Sequence, residues 1–197
     1  MMGTFAGCGV TSLDLSDWDT SNVESMMRTF FGCGVTSLDL SNWDTSNVTD
    51  MLYIFDSSAS LTTVNLSGWV MGTLFPEFRE LENLTTVNLS NVDAGRVTNM
   101  SYIFAYCTSL TTIDLSDIDT SNVIDMDEMF GGCTSLTTLD LSDLDTSNVT
   151  SMNSMFYGCT NLTSLDLTGW DTSNVTSMNT MFNGCANLTS LDLTGWD

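Results

Sequence analysis

The sequence predicts an α/β repeat solenoid: a right-handed stack of coils with one parallel sheet and short helical or extended segments on the second side. Three observations predict it. A 26-residue period runs through the chain, so that residues 136–161 (LTTLDLSDLDTSNVTSMNSMFYGCTN) are followed by a near copy at 162–187 (LTSLDLTGWDTSNVTSMNTMFNGCAN) and preceded by another at 110–135. A period of this length marks a stack of supersecondary units. Each period opens with apolar residues that alternate with polar ones, the pattern of a strand with one buried face. Large apolar residues also recur at fixed positions, and a coil that cannot bury its own apolar side must stack on a neighbour to do so.

Taken in order, residues 1–9 are the tail of a coil, in which Phe5 and Cys8 match Phe156 and Cys159. Coils then start near 10, 35, 61, 84, 110, 136, 162 and 188, and residues 1–197 read as one solenoid. Numbering each coil from zero at its first apolar residue, positions 0, 3 and 5 point inward and 2, 4 and 6 outward. In the sixth coil these are Leu136, Leu139 and Leu141 against Thr138, Asp140 and Ser142. Position 8 is large and apolar, Trp in five coils. Asp-Thr-Ser-Asn follows as a turn signal. Then Val149 and Met152 point inward from a second extended segment, Met155 and Phe156 follow at helix-like spacing, and Gly158 closes the turn.

The third coil, 61–83, departs from the pattern. It has 23 residues, contains the chain's one proline, Pro76, and replaces the turn motif with VMGTLFPEFRELEN. Proline near a first turn, then Phe78, Leu81 and Leu84 at helical spacing, predict a short helix there.

Composition narrows the function classes. Net charge is −22, there is no Lys or His, and Arg occurs only at 28, 79 and 96. Nucleic acid is excluded as a partner, because phosphate binding needs Lys and Arg. Anionic membrane surfaces are disfavoured for the same reason. Cations or basic partners are favoured, and histidine catalysis is impossible. No apolar run is long enough to insert into a membrane. No signal peptide is visible, and the chain starts and stops within a repeat, which reads as a fragment or processed piece. The uncapped ends suggest end-to-end self-association.

Cys8, Cys33, Cys107, Cys133, Cys159 and Cys185 share one coil position, taken once by Ser58. Such a column reads as a ladder of buried thiols. A disulfide framework fits poorly because stacked side chains run parallel, and zinc lacks a Cys-x-x-Cys pair. The methionine column (51, 100, 126, 152, 178) reads as core.

The features able to carry chemistry are two polar columns. Position 4 holds Asp14, Asp39, Asn65, Asn88, Asp114, Asp140, Asp166 and Asp192; position 9 holds Asp19, Asp44, Asp93, Asp119, Asp145, Asp171 and Asp197. Position 9 precedes a turn and is expected to accept local backbone N–H bonds. Position 4 is open to function: a solvated acidic face, a partner surface, or a site for calcium, which takes oxygen ligands. Asn65 and Asn88 interrupt it beside the odd coil, so these two, with Phe78 and Arg79, mark the first place to look for specific binding. Ice binding is disfavoured by the charged central row. A carboxylate dyad for acid–base chemistry lacks a cleft. Nine Asn-x-Ser/Thr sequons, at 47, 65, 83, 88, 99, 148, 161, 174 and 187, are by-products of the repeat.

The run Leu-x-x-Leu-x-Leu resembles leucine-rich repeats, although position 8 carries Trp, Ile or Leu in place of their Asn. The longer motif LDLSxWDTSNVTxMxxMFxGC closely resembles the bacterial surface protein 26-residue repeat, or BspA-like leucine-rich-repeat family, and the lipoprotein repeats of mycoplasmas. It covers nearly the whole chain except residues 70–83. The resemblance implies a non-enzymatic cell-surface or secreted module for adhesion, with a protein or glycan ligand on a host or neighbouring cell. Two alternatives stand beside it, a structural spacer or fibre subunit and a calcium-dependent acidic scaffold.

Overall fold

The computed structural model describes residues 1–196. Four short strands, β1 (Ser37–Asp39), β2 (Thr63–Asn65), β3 (Thr86–Asn88) and β4 (Thr112–Asp114), form one parallel sheet in sequential order. The register pairs like with like: Leu38 with Val64, Val64 with Val87, Val87 with Ile113. This is what a repeat dictates, since equivalent residues meet one coil apart. The central apolar residue turns inward while Ser or Thr and Asp or Asn face out.

Every coil was expected to add a strand, but only four of them do so within the described residues. The limits of the sheet follow position 4. Its outward residues there run Asp39, Asn65, Asn88, Asp114, so each paired neighbour includes an asparagine. Where aspartate would stack on aspartate, at 14/39, 114/140, 140/166 and 166/192, the coils follow one another without regular strand pairing. Like charges facing each other across strands are destabilising. Asn65 reverses the effect, its Nδ2 donating to Asp39 Oδ1 at 3.0 Å. Asp140→Asn is therefore expected to raise the melting temperature at low salt, with the gain shrinking in molar salt. Thermal melts at two ionic strengths check it, and a salt-independent change would point to another cause.

The second side corrects the sequence reading. No helix forms among the described residues, neither in the regular coils nor after Pro76, so the fold is a β-and-turn stack rather than α/β. The reason lies in backbone dihedrals. Positions 18 and 22 are left-handed, as at Ser154 (φ 55°) and Gly158 (φ 70°), and each interrupts any helical run. Glu80 (φ 63°) does the same in the third coil. The backbone instead alternates its partners. Met152, Ser154, Phe156 and Gly158 donate N–H bonds to the next coil, to the carbonyls of Ser177, Asn179, Met181 and Asn183 at 2.8–3.0 Å. Met155, Tyr157 and Cys159, between them, close turns onto the residue three before. A helix would keep all these bonds within one segment; here half of them tie coils together. Glycine at position 22 is required by more than dihedral freedom at Gly132, where a Cβ would sit 2.6 Å from the Tyr106 ring.

Columns of identical side chains fill the core. Phe5, Phe30, Phe55, Phe78, Phe104, Phe130, Phe156 and Phe182 stack with ring centroids 5.2–5.9 Å apart. All six cysteines are free thiols, and Cys33, Cys107, Cys133 and Cys159 are buried. Each of Cys107, Cys133, Cys159 and Cys185 donates to the carbonyl of a phenylalanine one coil back, at 3.0–3.1 Å. Ser58 makes the same bond to Phe30, which explains why serine substitutes in this column. Burial pushes the Cys107 and Cys159 thiols up to about 12, so they serve as weak donors rather than nucleophiles. No helix in the described chain is long and apolar enough to cross a membrane.

Buried threonines form a further ladder. Thr45, Thr120 and Thr146 each place a hydroxyl between coils, where it donates to a carbonyl of the next coil and accepts the N–H of the same residue. The asparagines of the turn act similarly. Asn47, Asn122, Asn148 and Asn174 donate Nδ2 to a carbonyl of the preceding coil at 2.7–2.8 Å. The turn motif Asp-Thr-Ser-Asn is thus a device for joining coils as well as for reversing the chain.

Candidate functional site

The two acidic columns share one local structure. At position 9, Asp19, Asp44 and Asp119 accept both the N–H and the hydroxyl of the serine two residues on, as expected of an Asx-turn. Position 4 does the same: Asp14, Asp39, Asp114 and Asp140 each hold the serine two residues on by N–H and Oγ. Asp166 and Asp192 accept the N–H of Thr168 and Thr194. Asn65 and Asn88 accept the N–H of Ser67 and Ser90 through Oδ1, so asparagine keeps the turn without the charge. Asp197 of position 9 lies outside the described residues. Among the described residues no three acidic or cysteine side chains converge as a metal cluster.

Hydrogen bonds from Ser142 hold the Asp140 carboxyl below its ordinary value, outweighing the neighbouring charge of Asp166. The same cause, serine or threonine two residues on, lowers Asp14, Asp19, Asp44, Asp119, Asp166, Asp171 and Asp192. A carboxyl depressed in the folded state contributes stability above its unfolded value, and that stability is lost as pH falls through the folded value. The melting temperature is expected to stay level from pH 8 to 5 and to fall below about pH 4, the ordinary carboxylate range. A stack stabilised on acidification would show that repulsion between the columns outweighs these bonds.

The irregular coil is where the structure departs most from expectation. Phe78, singled out as a surface residue, is fully buried and occupies the phenylalanine column between Phe55 and Phe104. The coil has lost residues but kept the side chain that its neighbours stack on, and a contact residue for a ligand it is not. Leu81, three residues on, is buried in line with the cysteine column. Arg79 does reach solvent: its side chain is 45% exposed, paired with Glu80 at 3.1 Å and lying over the Tyr102 ring at 5.4 Å.

Arg79 belongs to a stripe that the sequence reading missed. Arg28 lies over the rings of Phe31 and Tyr53 at 5.4 and 5.5 Å. Tyr53 and Tyr102 are 48% and 37% exposed, with Leu52, Leu74 and Tyr106 also exposed. Arg28, Tyr53 and Tyr102 all stand at position 18, where later coils place Glu128, Ser154 and Thr180. That change of residue type at one outward position is the signal of the stripe in the sequence. A shallow depression lined by Tyr53, Asp56, Glu77, Arg79 and Glu80 links the Tyr53 and Arg79 parts. Beside Tyr102, a cleft of about 320 Å³ opens between the shortened coil and coil four, with Glu77, Ser101, Asp125 and Asp127 on its walls. Burial, then Glu128, Asp127 and Asp125, push the Tyr102 phenol above its ordinary value, with Arg79 opposing them.

Parallel strands in register, coil-length spacing and an apolar column core define a leucine-rich-repeat-like stack. The family described as "Mycoplasma protein of unknown function, DUF285" matches residues 1–75 and 71–196, and the chain belongs to that family. A solved leucine-rich repeat protein from Bacteroides ovatus is similar in fold, with a TM-score of 0.52 over 82% of this chain at 20% identity. The match spans 38% of that protein, so this chain corresponds to well under half of its length. No curated protein matches the chain.

Proposed function

We propose that the chain is a non-enzymatic recognition module, cell-surface or secreted, that binds a protein or glycan ligand on a host or neighbouring cell. The observation that carries this reading is the stripe of Arg28, Tyr53, Arg79 and Tyr102 on the turn side. The chain has only three arginines, and two of them lie here against aromatic rings. Exposed tyrosine and arginine supply much of the energy of protein interfaces, because they combine a large apolar area with fixed hydrogen-bonding groups. The guanidinium–ring contacts also hold those side chains in place before binding, which lowers the entropy lost on association. The motif likeness to BspA-like surface repeats supports the same role and the same location.

The test is direct. The full chain is applied to immobilised extracellular-matrix proteins and to a glycan array, beside the double variant Tyr53→Ala/Tyr102→Ala. Binding by the parent and a loss of tenfold or more in the variant, at unchanged melting temperature, is the expected result. Equal binding by both would remove the stripe from the reading. Absence of any ligand in both formats would favour a spacer role.

A further inference from the structure

The cleft beside Tyr102 is a gap in the ladder that joins coils. At a regular junction, coil four to coil five, Met100 and Tyr102 donate N–H bonds to the carbonyls of Asp125 and Asp127 at 2.8 and 2.9 Å, and Ile124 donates back to Thr98. The junction of coils three and four starts and ends in the same way. Met71 donates to Asp93, and Phe78 donates to Ile103, each at 2.8 Å. Between them the shortened coil supplies nothing: no backbone bond from residues 72–77 reaches residues 94–102 among the described residues. Pro76 has no N–H to give. Hence the carbonyls of Asn99 and Ser101, and the N–H of Thr98, lack the partners that every regular coil provides. Thr98 and Asn99 are exposed, so their backbone groups form an edge open to solvent. The Ser101 hydroxyl oxygen, on the cleft wall, is buried and unpartnered, and a buried hydroxyl is costly unless something satisfies it.

The charge of the gap is one-sided. Glu77, Asp125 and Asp127 line it. Ser151 and Asn153 engage the Asp127 carboxylate, and Asp125 spends one oxygen on the Asp127 N–H. Glu77 has no partner among the described residues. The carbonyls of Asn99 and Ser101 are two residues apart, the spacing at which an extended strand presents successive N–H groups on one edge.

We infer that this gap takes an extended peptide segment of a partner protein, which adds a short strand along Asn99–Ser101 and places a lysine or arginine against Glu77 and Asp125. This rests on the recognition reading above and names its partner class. Strand addition draws affinity from main-chain bonds and specificity from side-chain pockets; here the missing stretch of coil three has left both. The acidic wall gives the segment its sign, and the chain's net charge of −22 steers a basic one toward it.

A library of random octapeptides panned against the full chain tests this, with selected peptides resynthesised for fluorescence anisotropy. Selected sequences are expected to carry Lys or Arg alternating with β-branched residues. Their affinity is expected to fall tenfold or more for Glu77→Gln/Asp125→Asn, a pair that retains the Asp125 acceptor and the melting temperature. Methylating alternate peptide nitrogens, which removes the donors without changing charge, is expected to cost as much. Selected peptides without basic residues, affinity indifferent to both changes, or no enrichment at all would overturn the inference. Matrix or glycan binding that depends on Tyr53 and Tyr102 but survives Glu77→Gln/Asp125→Asn would leave the recognition reading standing without the cleft.

Discussion

Phe130→Ala is expected to destabilise the stack by about 3–5 kcal/mol, the range for removing a fully buried phenylalanine. Phe130 is fully buried, with Phe104 and Phe156 at 5.6 and 5.8 Å on either side. The loss has two parts, the transfer energy of the ring and the void left between two rings that cannot close up. They cannot close because the backbone of each coil is fixed to the next by the N–H bonds of positions 18, 20 and 22. A stack is also close to one-dimensional, so weakening one junction divides it. Urea unfolding followed by tryptophan fluorescence should therefore show a lower midpoint and a broadened or split transition. Phe182→Ala, at a half-buried site packed against the core, should cost clearly less. Equal losses at the two sites, or a loss under about 1 kcal/mol at 130, would mean that the column fills space without carrying the stability that its burial implies.

Thr146→Val is expected to cost about 2–5 kcal/mol, and more than Thr146→Ala, a reversal of the usual order for a buried site. Thr146 is almost fully buried and its hydroxyl serves Asp171 twice, donating to the carbonyl at 3.1 Å and accepting the N–H at 2.9 Å. Valine keeps the shape and holds the coils apart, so both backbone groups are left unsatisfied. Alanine leaves room for the coils to pair directly. The chain already does so where this position has no branch at Cβ to wedge between the coils: beside Met71, Asp93 donates to the Trp69 carbonyl at 2.9 Å, and beside Ala94, Asp119 donates to the Val92 carbonyl at 3.2 Å. Melting temperatures of the two variants decide the matter, and alanine proving the more damaging would sink this account of the threonine ladder.

Much of the architecture was legible because a repeat reports its own contacts. Once residues 136–161 and 162–187 are aligned, Leu139 must meet Leu165 and Phe156 must meet Phe182, whatever the coil looks like. The thiol column and the turn at position 9 followed from the same alignment. The second side was misread because Met152, Met155 and Phe156 have helical spacing in a segment whose backbone is not helical. Left-handed conformations at Ser154, Glu128 and Tyr102 carry no composition signal, and even position 22, glycine at 32, 132, 158 and 184, holds Ser57 and Tyr106 in the same conformation. Phe78 was misplaced for a related reason. A segment that breaks the pattern looks like an insertion on the surface, yet Phe78, the second of its two phenylalanines, completes the column.

The sequence by itself determined the column core, the acidic outward rows and the register of one coil on the next, because identical side chains bury area best when stacked on themselves. Only the tertiary structure decided where the sheet stops, which side chains of the odd coil are buried, and where the coil-joining ladder is left open. Those outcomes depend on competition between neighbours: aspartate against aspartate across strands, a shortened coil against a full one, and backbone groups that find partners only when the next coil is long enough to supply them.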